Sequence, residues 1–193
     1  MDRIYLTTWN SIITVDFEFN FIKDVYDIEK FKYLSDIAYS IKNNFVYACD
    51  CTSKMIHIFD SCLDSIKSHQ LAYEPLKIEI LNDTMCIMPH YDCSEINCLH
   101  LYDIETFNFI FNFEFDKYGP LGTIGSSHFC LYDFNNEEMH LIQHNGYFND
   151  SISIKIDKKK FHLCDKIFDL NNKLFITSSI NEKVFFLSNN LFE

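Results

Sequence analysis

One segment of the sequence combines side chains that bind zinc in proteins. His90, Cys93, Cys98 and His100 place two imidazoles and two thiols at close spacing, and these are ligands of four-coordinate structural zinc. Cys98 and His100 would share one face of a strand, whereas the odd spacing of His90 and Cys93 puts those two on opposite faces. We therefore interpret this segment as a polar turn with buried thiols, and we assign no metal and no other cofactor.

Other motifs with chemical potential are weaker. Cys49-Asp50-Cys51 offers two thiols, but a reactive thiol needs an electropositive neighbourhood, and Asp50 is explained as the aspartate of a repeated turn. The sequence contains no nucleophile elbow of the Gly-x-Ser-x-Gly type. The glycine-rich stretch 119–125 lacks the lysine and the spacing of a phosphate loop, so we predict a turn there. We assign no catalytic residue and predict that the chain is not an enzyme.

The composition indicates one acidic globular domain. The chain has 193 residues and a mass of 22.9 kDa, the size of a single domain, and 48% of its residues are hydrophobic. Lys and Arg number 16 against 28 Asp and Glu, a formal net charge of −12, and Arg3 is the single arginine. Such a surface repels phosphate backbones. Nucleic acid is therefore not expected as a partner.

No segment indicates export or membrane insertion. The sequence lacks a run of about 18 apolar residues, and its N-terminus enters a strand-like pattern directly. Among the eight cysteines, Cys86 and Cys130 lie inside apolar runs, where a reduced thiol packs as a small hydrophobe. We expect a cytoplasmic protein with reduced thiols and no membrane contact.

The elements that must position any site follow a repeat. Short apolar segments recur with their third residue at positions 13, 57, 100, 140 and 185, at intervals of 40 to 45 residues. A second series begins at 4, 46, 85, 129 and 174, and leucines at 34, 76, 121 and 163 form a third. Three series with nearly the same period indicate an internal repeat.

Each repeat contains up to four short apolar segments separated by polar turns, which indicates strands. Four strands in a period of this length are the signature of a β-propeller blade. We predict an all-β fold, a single domain over 1–193 formed by a β-propeller-like array of about five four-stranded blades. The predicted blades span residues 1–30, 31–73, 74–116, 117–157 and 158–193. The first would lack its first strand and the last its fourth, so we expect an incomplete propeller or an open arc.

Polar residues also recur at repeated positions. Glycine is scarce, with 4 in the chain, and the predicted turns contain asparagine and aspartate at 43–44 and 82–83, which tolerate left-handed backbone angles. His57, His100 and His140 fill one repeated place. They could in principle converge on a central axis to hold a metal, but the third strand of a blade lies away from the channel.

The second repeat resembles the NHL repeat. It contains Val46-Tyr47-Ala48-Cys49-Asp50 and Ile56-His57-Ile58-Phe59-Asp60, which are similar to the family patterns V-Y-V-A-D and I-Q-V-F-D. The matching positions are Tyr47, Asp50, Ile56, Phe59 and Asp60. The turn between them departs from the family, since Thr52, Ser53, Lys54 and Met55 stand where glycine or asparagine followed by arginine is usual. The other repeats keep the apolar frame and few of the letters.

The resemblance implies a non-enzymatic protein-interaction module like the C-terminal propeller of tripartite-motif (TRIM-NHL) ubiquitin ligases, which recruits partners or substrates. Any ligase activity would reside outside this chain, which shows no RING or B-box ligand series. We expect a protein partner. Open blade edges would also favour self-association. The residues selected as partner-binding loop positions are Asp50, Lys54, Asp92, Glu95 and Asp133.

Two alternative functions stay open at this point. Some NHL propellers bind RNA, and here a local patch of Lys30, Lys32 and Lys54 would have to outweigh the acidic surface. Some propellers hold a metal at the central channel and catalyse lyase or lactonase reactions. The repeated histidines are the residues that such a metal-dependent enzyme would use.

Overall fold

The computed structural model describes residues 3–27, 29–90, 97–115, 119–133, 138–143, 148–152, 166–170, 173–178 and 183–187. Within these residues the chain forms eighteen β-strands joined by turns and contains no helix. The all-β prediction is therefore confirmed. In this described part, no helix is long and apolar enough to cross a membrane.

The strands group into four sheets. The first sheet contains β1 (Ile4–Thr7), β2 (Ser11–Val15) and β3 (Phe21–Tyr26). The second contains β4 (Leu34–Ser40), β5 (Phe45–Asp50), β6 (Met55–Asp60) and β7 (Ser65–Gln70). The third contains β8 (Pro75–Leu81), β9 (Thr84–Pro89), β10 (Asn97–Asp103) and β11 (Phe109–Phe115). The fourth contains β12 (Leu121–Ile124), β13 (His128–Asp133), β14 (Glu138–Gln143), β15 (Phe148–Ile152), β16 (Lys166–Leu170), β17 (Lys173–Ser178) and β18 (Lys183–Leu187).

The number of sheets corrects the prediction of about five blades. β12 and β16, the first strands of the predicted fourth and fifth blades, pair in parallel and join these blades into one seven-stranded sheet. Gly122 stands opposite Ile167, and a β-carbon on Gly122 would lie 1.8 Å from the Ile167 carbonyl oxygen. Glycine therefore permits this close approach. The turn predicted at 119–125 is wrong in part, because β12 begins at Leu121.

The chain divides into two compact units. One consists of Met1–Ile80 and Ile87–Asp92, and the other of Leu81–Cys86 and Cys93–Glu193. The first unit contains the whole of the first and second sheets. In both of these sheets each strand pairs antiparallel with the next along the chain, as blade strands are predicted to do.

The middle strands bury both of their faces. β5, β9 and β13 are buried at nearly every position, although side chains alternate between the two faces of a sheet. A sheet covered on both faces needs a continuous apolar run, which these segments have. The outer strand β7 is polar and largely exposed. Cys86 and Cys130 are buried free thiols, in agreement with the packing predicted for them.

The turns between first and second strands use left-handed residues. Asn44 and Asn82 have φ angles of 60° and 54°, which confirms the predicted conformation at these two asparagines. Gly125 takes the same place in the fourth sheet with a φ of 59°. These residue types adopt this conformation at little cost.

The turns before the last strand of a sheet contain bulky left-handed residues instead. They connect β2 to β3, β6 to β7 and β10 to β11. Phe19, Leu63 and Phe107 have φ angles of 63°, 62° and 57°. Each turn begins with an aspartate whose Oδ1 accepts two backbone N–H bonds, which satisfies backbone groups that the ladder leaves unpaired. These aspartates are Asp16, Asp60 and Asp103.

Candidate interaction surface

The first and second sheets stack face to face, and the register of β2 shows which side of the first sheet is covered. Ile12 packs in one buried cluster with Val46 and Phe59 of the second sheet. Because side chains alternate along a strand, Ile13 points to the opposite side. Leu6 stands opposite Ile13 in the register of β1 and shares that side.

The same side of β3 carries two aromatic residues. Tyr26 stands opposite Ser11, and Phe21 stands opposite Val15. Ser11 and Val15 lie on the same side of β2 as Ile13, because each is two residues away from it. We call this side of the first sheet the open face. It is defined by Leu6, Ile13, Phe21 and Tyr26.

The open face is accessible to solvent in part. Ser11 and Val15 of the middle strand are each only 8% exposed, but apolar side chains around them are accessible. Leu6, Phe21 and Tyr26 are 44%, 65% and 60% exposed, and Ile13 is partly exposed. Scattered exposed apolar side chains are normal in folded proteins, but a group of them on one sheet face indicates an interaction surface. Aromatic rings in particular contribute much of the binding energy at protein interfaces.

The turn between β2 and β3 extends the exposed apolar surface. Phe19 is 74% exposed although it has a left-handed φ, which side chains adopt at a cost. In the second sheet the residue at the same place is Leu63, which is 2% exposed and packs in the cluster with Ile12. Leu63 thus reaches onto the sheet that precedes its own. The Phe19 side chain, by contrast, is directed into solvent.

Negative charge surrounds this turn. The segment 16–30 contains five carboxylates and two lysines. Both lysines turn towards the second sheet: Lys23 Nζ lies 2.9 Å from Asp64 Oδ1, and Lys30 Nζ donates to Ser65 Oγ at 2.8 Å. The segment beside the open face therefore has an excess of negative charge.

A buried aspartate holds the loop that connects the first sheet to the second. Asp50 accepts hydrogen bonds from the backbone N–H groups of Lys32 (2.9 Å) and Tyr33 (3.1 Å), and Ser53 Oγ donates to it at 2.6 Å. His57 Nε2 lies 3.5 Å from Asp50 Oδ2. Burial by itself would raise the pKa of Asp50, but the imidazole and these donors outweigh burial and hold the pKa well below its usual range. Asp50 is therefore a charged anchor for the loop.

Asp50 and His57 form a line with a third polar residue. His57 Nδ1 lies 2.8 Å from Ser68 Oγ, so a carboxylate, an imidazole and a hydroxyl follow one another as in a nucleophilic triad. The same residue types recur in the fourth sheet, where His140 Nε2 lies 3.9 Å from Asp133 Oδ2 and Ser151 stands opposite His140 in the register. Recurrence in two sheets favours a structural role.

The repeated histidines were predictable from the sequence, but their hydrogen-bonding partners were not identified from it. His57, His100 and His140 do occupy the third strands β6, β10 and β14. Asp50 and Asp133 share one place in the repeat, and that recurrence was the available signal. Ser68 was not detectable, because its pairing with His57 depends on the register of β7.

The residues selected as partner-binding lie at three kinds of position. Asp50 and Asp133 are buried, so neither carboxylate is exposed to a partner. Lys54 is partly exposed in the turn after β5, with a φ of 58°. Asp92 and Glu95 lie outside the described residues. None of the five belongs to the open face, which sequence analysis did not single out.

The zinc-like segment forms no ligand set among the described residues, where no group of three or more His, Cys, Asp or Glu could hold a metal. Cys98 Sγ lies 3.2 Å from His100 Nε2, and His90 Nδ1 lies 3.8 Å from Glu74 Oε2. Cys93 lies outside the described residues. Burial raises the pKa of Cys98 and lowers that of His100. The neutral thiol that this favours is a poorer metal ligand than a thiolate.

No protein-family model matches the chain, and no curated protein matches its sequence. Solved structures do. The WD40 domain of Neurospora crassa Pan2 superposes with a TM-score of 0.67 at 8% identity, over 92% of this chain and 56% of that one. The β-propeller domain of Myceliophteria thermophila Cps50 (Swd1) superposes with a TM-score of 0.64 at 10% identity, over 92% of this chain and 59% of that one. Virginiamycin B lyase from Staphylococcus aureus superposes with a TM-score of 0.62 at 13% identity, over 94% of this chain and 61% of that one.

This chain spans less than two thirds of each of these three structures. Identities this low carry no information on family, substrate or activity, and the likeness concerns the fold alone. It extends over more than nine tenths of this chain in all three comparisons. The chain therefore has a β-propeller fold.

Proposed function

We propose that this chain is a non-enzymatic protein-interaction module that binds its partner through the open face of the first sheet. One observation carries the proposal. Leu6, Phe21 and Tyr26 form an exposed apolar group on the side of the first sheet that faces away from the second sheet. Propellers supply rigid walls on which such surfaces can evolve independently of the fold.

The proposed partner is a protein surface that is apolar at its centre and carries lysine or arginine at its rim. This chemistry matches the exposed aromatic rings together with the excess of carboxylates in segment 16–30. The same excess disfavours RNA, since phosphates would be repelled. It also disfavours a second copy of the chain, which carries the same formal net charge of −12.

A finer form of the proposal assigns the chain to substrate recruitment in a tripartite-motif type of ligase. Its support is the resemblance of the second repeat to the NHL pattern. Three of the residues that match the NHL pattern have structural roles within the second sheet. Tyr47 and Phe59 are buried there, and Asp50 anchors the preceding loop. These residues serve the blade itself, so the open face remains the stronger basis for the proposal.

Site-specific photo-crosslinking tests the proposed surface. A photoreactive phenylalanine analogue replaces Phe21 or Tyr26 in one pair of proteins and Ile66 in a matched control. Ile66 is an exposed apolar residue on β7, the outer strand of the second sheet. After irradiation in lysate of the source cells, we expect both open-face positions to link to the same protein and the Ile66 position to link to none.

A double substitution supplies the complementary measurement. Phe21→Ser with Tyr26→Ser should abolish capture of the crosslinked protein, whereas Ile66→Ser should leave it intact. Circular dichroism and the melting midpoint verify that both variants fold. Equal crosslinking from Ile66, or capture retained by the double variant, would show that partners dock elsewhere.

A further inference from the structure

We propose that Cys98 is a modification site, at which His100 activates the thiol to form a mixed disulfide with a small disulfide compound. The residues that carry this inference lie on β10 and β11 of the third sheet. It goes beyond the proposed function, because it does not involve the open face.

Cys98 is one of two described cysteines that a reagent in solution can reach. The structure describes six free cysteines, of which four are buried, Cys62 is exposed and Cys98 is partly exposed. On β10, Leu99 and Leu101 are fully buried. Cys98 and His100 alternate with them, so these two side chains share the other side of the strand, which is partly exposed.

The thiol and the imidazole are within hydrogen-bonding distance. Cys98 Sγ lies 3.2 Å from His100 Nε2. In the tautomer that carries its proton on Nδ1, Nε2 accepts the thiol hydrogen. The rings of Tyr102 and Phe109 lie beside the imidazole, with centroids 6.4 and 6.2 Å from its own, and restrict its position. A base held in contact with a thiol is the arrangement that activates a cysteine as a nucleophile.

Both groups are neutral at neutral pH. Burial raises the pKa of the Cys98 thiol, as does the carboxylate of Glu114, which stands opposite Cys98 on β11. Burial also lowers the pKa of His100. The thiol therefore keeps its proton until an electrophile approaches, and the neutral imidazole is in the form that accepts this proton.

A buried acceptor stands on the neighbouring strand. Asn112 lies opposite His100 in the register, and its Oδ1 is buried and accepts no hydrogen bond from the described residues. Opposite residues of an antiparallel pair are close neighbours on one side of the sheet. An unpaired buried acceptor costs free energy, and a positive charge on the neighbouring imidazole would reduce this cost. The position of Asn112 therefore favours transfer of a proton to His100.

The reaction balances without a further reagent. Cys98 Sγ bonds to one sulfur of the disulfide while the disulfide bond breaks, and His100 Nε2 takes the thiol proton. The proton then passes to the leaving thiolate, which departs as a free thiol. The sulfur of Cys98 is oxidised and the leaving sulfur is reduced. The product is a mixed disulfide at Cys98, which an excess of a small thiol reverses.

Labelling of the full chain with 2-hydroxyethyl disulfide tests the inference. This probe is uncharged, so the Glu114 carboxylate neither attracts nor repels it. The mixed disulfide at each cysteine is quantified over time at neutral pH by mass spectrometry of peptides. His100→Gln should slow labelling of Cys98 about tenfold or more, as loss of a general base implies. Labelling of Cys62 in the same molecules is the reference and should not change.

Two further measurements separate this effect from a loss of folding. Cys86 and Cys130 are fully buried and should remain unlabelled in a folded His100→Gln variant. In the unsubstituted chain at about pH 6, where few ordinary thiols are ionised, Cys98 should react faster in the folded protein than in urea. This comparison needs no variant, so it decides the question if His100→Gln does not fold.

The role of Asn112 is tested with a substitution of similar size. Asn112→Leu should slow labelling of Cys98 by less than His100→Gln does. Because Asn112 acts through the imidazole, the same substitution should have no further effect in the His100→Gln variant. Independent effects of the two substitutions would contradict this role of Asn112.

Two results would overturn the inference as a whole. An unchanged rate at Cys98 in a folded His100→Gln variant would show that the imidazole is not the base. Slower labelling of Cys98 in the folded protein than in urea would show a thiol that the fold merely shields. Crosslinking from Phe21 and Tyr26 is measured independently, so the proposed function survives both results.

Discussion

Leu6 in the first sheet and Ala48 in the second occupy the same place in the repeat, as do Ile13 and His57. Leu6 stands opposite Ile13 in the first sheet, and Ala48 stands opposite His57 in the second. Ala48 and His57 are buried, whereas Leu6 is exposed and Ile13 is partly exposed. The first sheet thus has the more apolar side chain at each of these two places, although the places are more exposed than in the second sheet. Exposed positions usually carry polar residues instead.

The outer strands extend this contrast. Phe21 and Tyr26 on β3 correspond to Ser65 and Gln70 on β7, as their positions in the register show. The second sheet ends in polar residues at these places, as expected of an outer strand in water. The first sheet ends in aromatic ones. We propose that this difference exists because the apolar side of the first sheet binds a partner. Variants at matched positions of the two sheets, and of the residues that connect them, test the contrast.

Truncation of matched phenylalanines should give the largest difference. Phe59→Ala should lower the free energy of unfolding by about 3–5 kcal/mol, because Phe59 is fully buried in the cluster between the two sheets. Phe21→Ala should change it by less than about 0.5 kcal/mol. Chemical denaturation measures both. A large cost for Phe21→Ala would mean that the open face is covered in the free protein.

The two left-handed turn residues should respond with opposite signs. Leu63→Asn should lower the free energy of unfolding by about 3 kcal/mol, because it removes a buried apolar side chain. Phe19→Asn should raise it by about 0.5 kcal/mol, because asparagine tolerates the φ of 63° better than phenylalanine does. Equilibrium unfolding in urea distinguishes the signs. Destabilisation by Phe19→Asn would show that Phe19 packs against something in the free chain.

Replacement of Asp50 should destabilise the fold more than replacement of Asp16, the exposed aspartate in the turn between β2 and β3. Asp50→Ala should lower the free energy of unfolding by about 2 kcal/mol, since it removes a buried carboxylate that accepts hydrogen bonds from the part-buried N–H groups of Lys32 and Tyr33. Asp16→Ala is the control and should cost much less, because its donors can bond to water instead. A similar cost for both variants would contradict the assignment of Asp50 as an anchor.

Asp50 also predicts a pH dependence. Its pKa in the folded state is below the ordinary value, so its contribution is fully present at neutral pH. As the pH falls below about 4, Asp50 binds a proton in the unfolded chain but stays ionised in the folded one. The free energy of unfolding therefore falls. Asp50→Asn should lose this part of the acid slope. An unchanged slope would show that Asp50 does not carry it.

The ion pair between the two sheets should have the smallest effect. Lys23 and Asp64 are 2.9 Å apart, but both side chains are substantially exposed. Lys23→Ala should therefore lower the free energy of unfolding by about 0.5 kcal/mol at most, and high salt should remove even this difference. A larger, salt-insensitive cost would indicate that Lys23 is important for stacking of the sheets.

Much of the fold was predictable because its determinants are local. The apolar run Phe45–Asp50 predicts a doubly covered strand, and the left-handed turns at Asn44 and Asn82 follow from the tolerance of asparagine for positive φ. The bulky left-handed residues were not predictable. Leu63 and Phe19 share that conformation although Leu63 is buried and Phe19 is exposed, and no local propensity favours it in either residue.

The candidate surface shows the same division. The amino-acid types of Leu6, Ile13, Phe21 and Tyr26 look like those of any strand in this chain, so sequence alone gave no reason to select them. Asp50 and Asp133 were selected as partner-binding loop positions, but both carboxylates are buried. The burial of Asp50 is stabilised by donors that lie far away in the sequence, such as the N–H of Lys32.

The period, the strands and the asparagine turns of this protein were determined by its sequence, because each depends on side chains only a few residues apart. Tertiary structure decided which side of each sheet is covered and that β12 pairs with β16. Those outcomes depend on what packs beside a strand, and a strand has the same alternation whether its neighbour is another sheet or water.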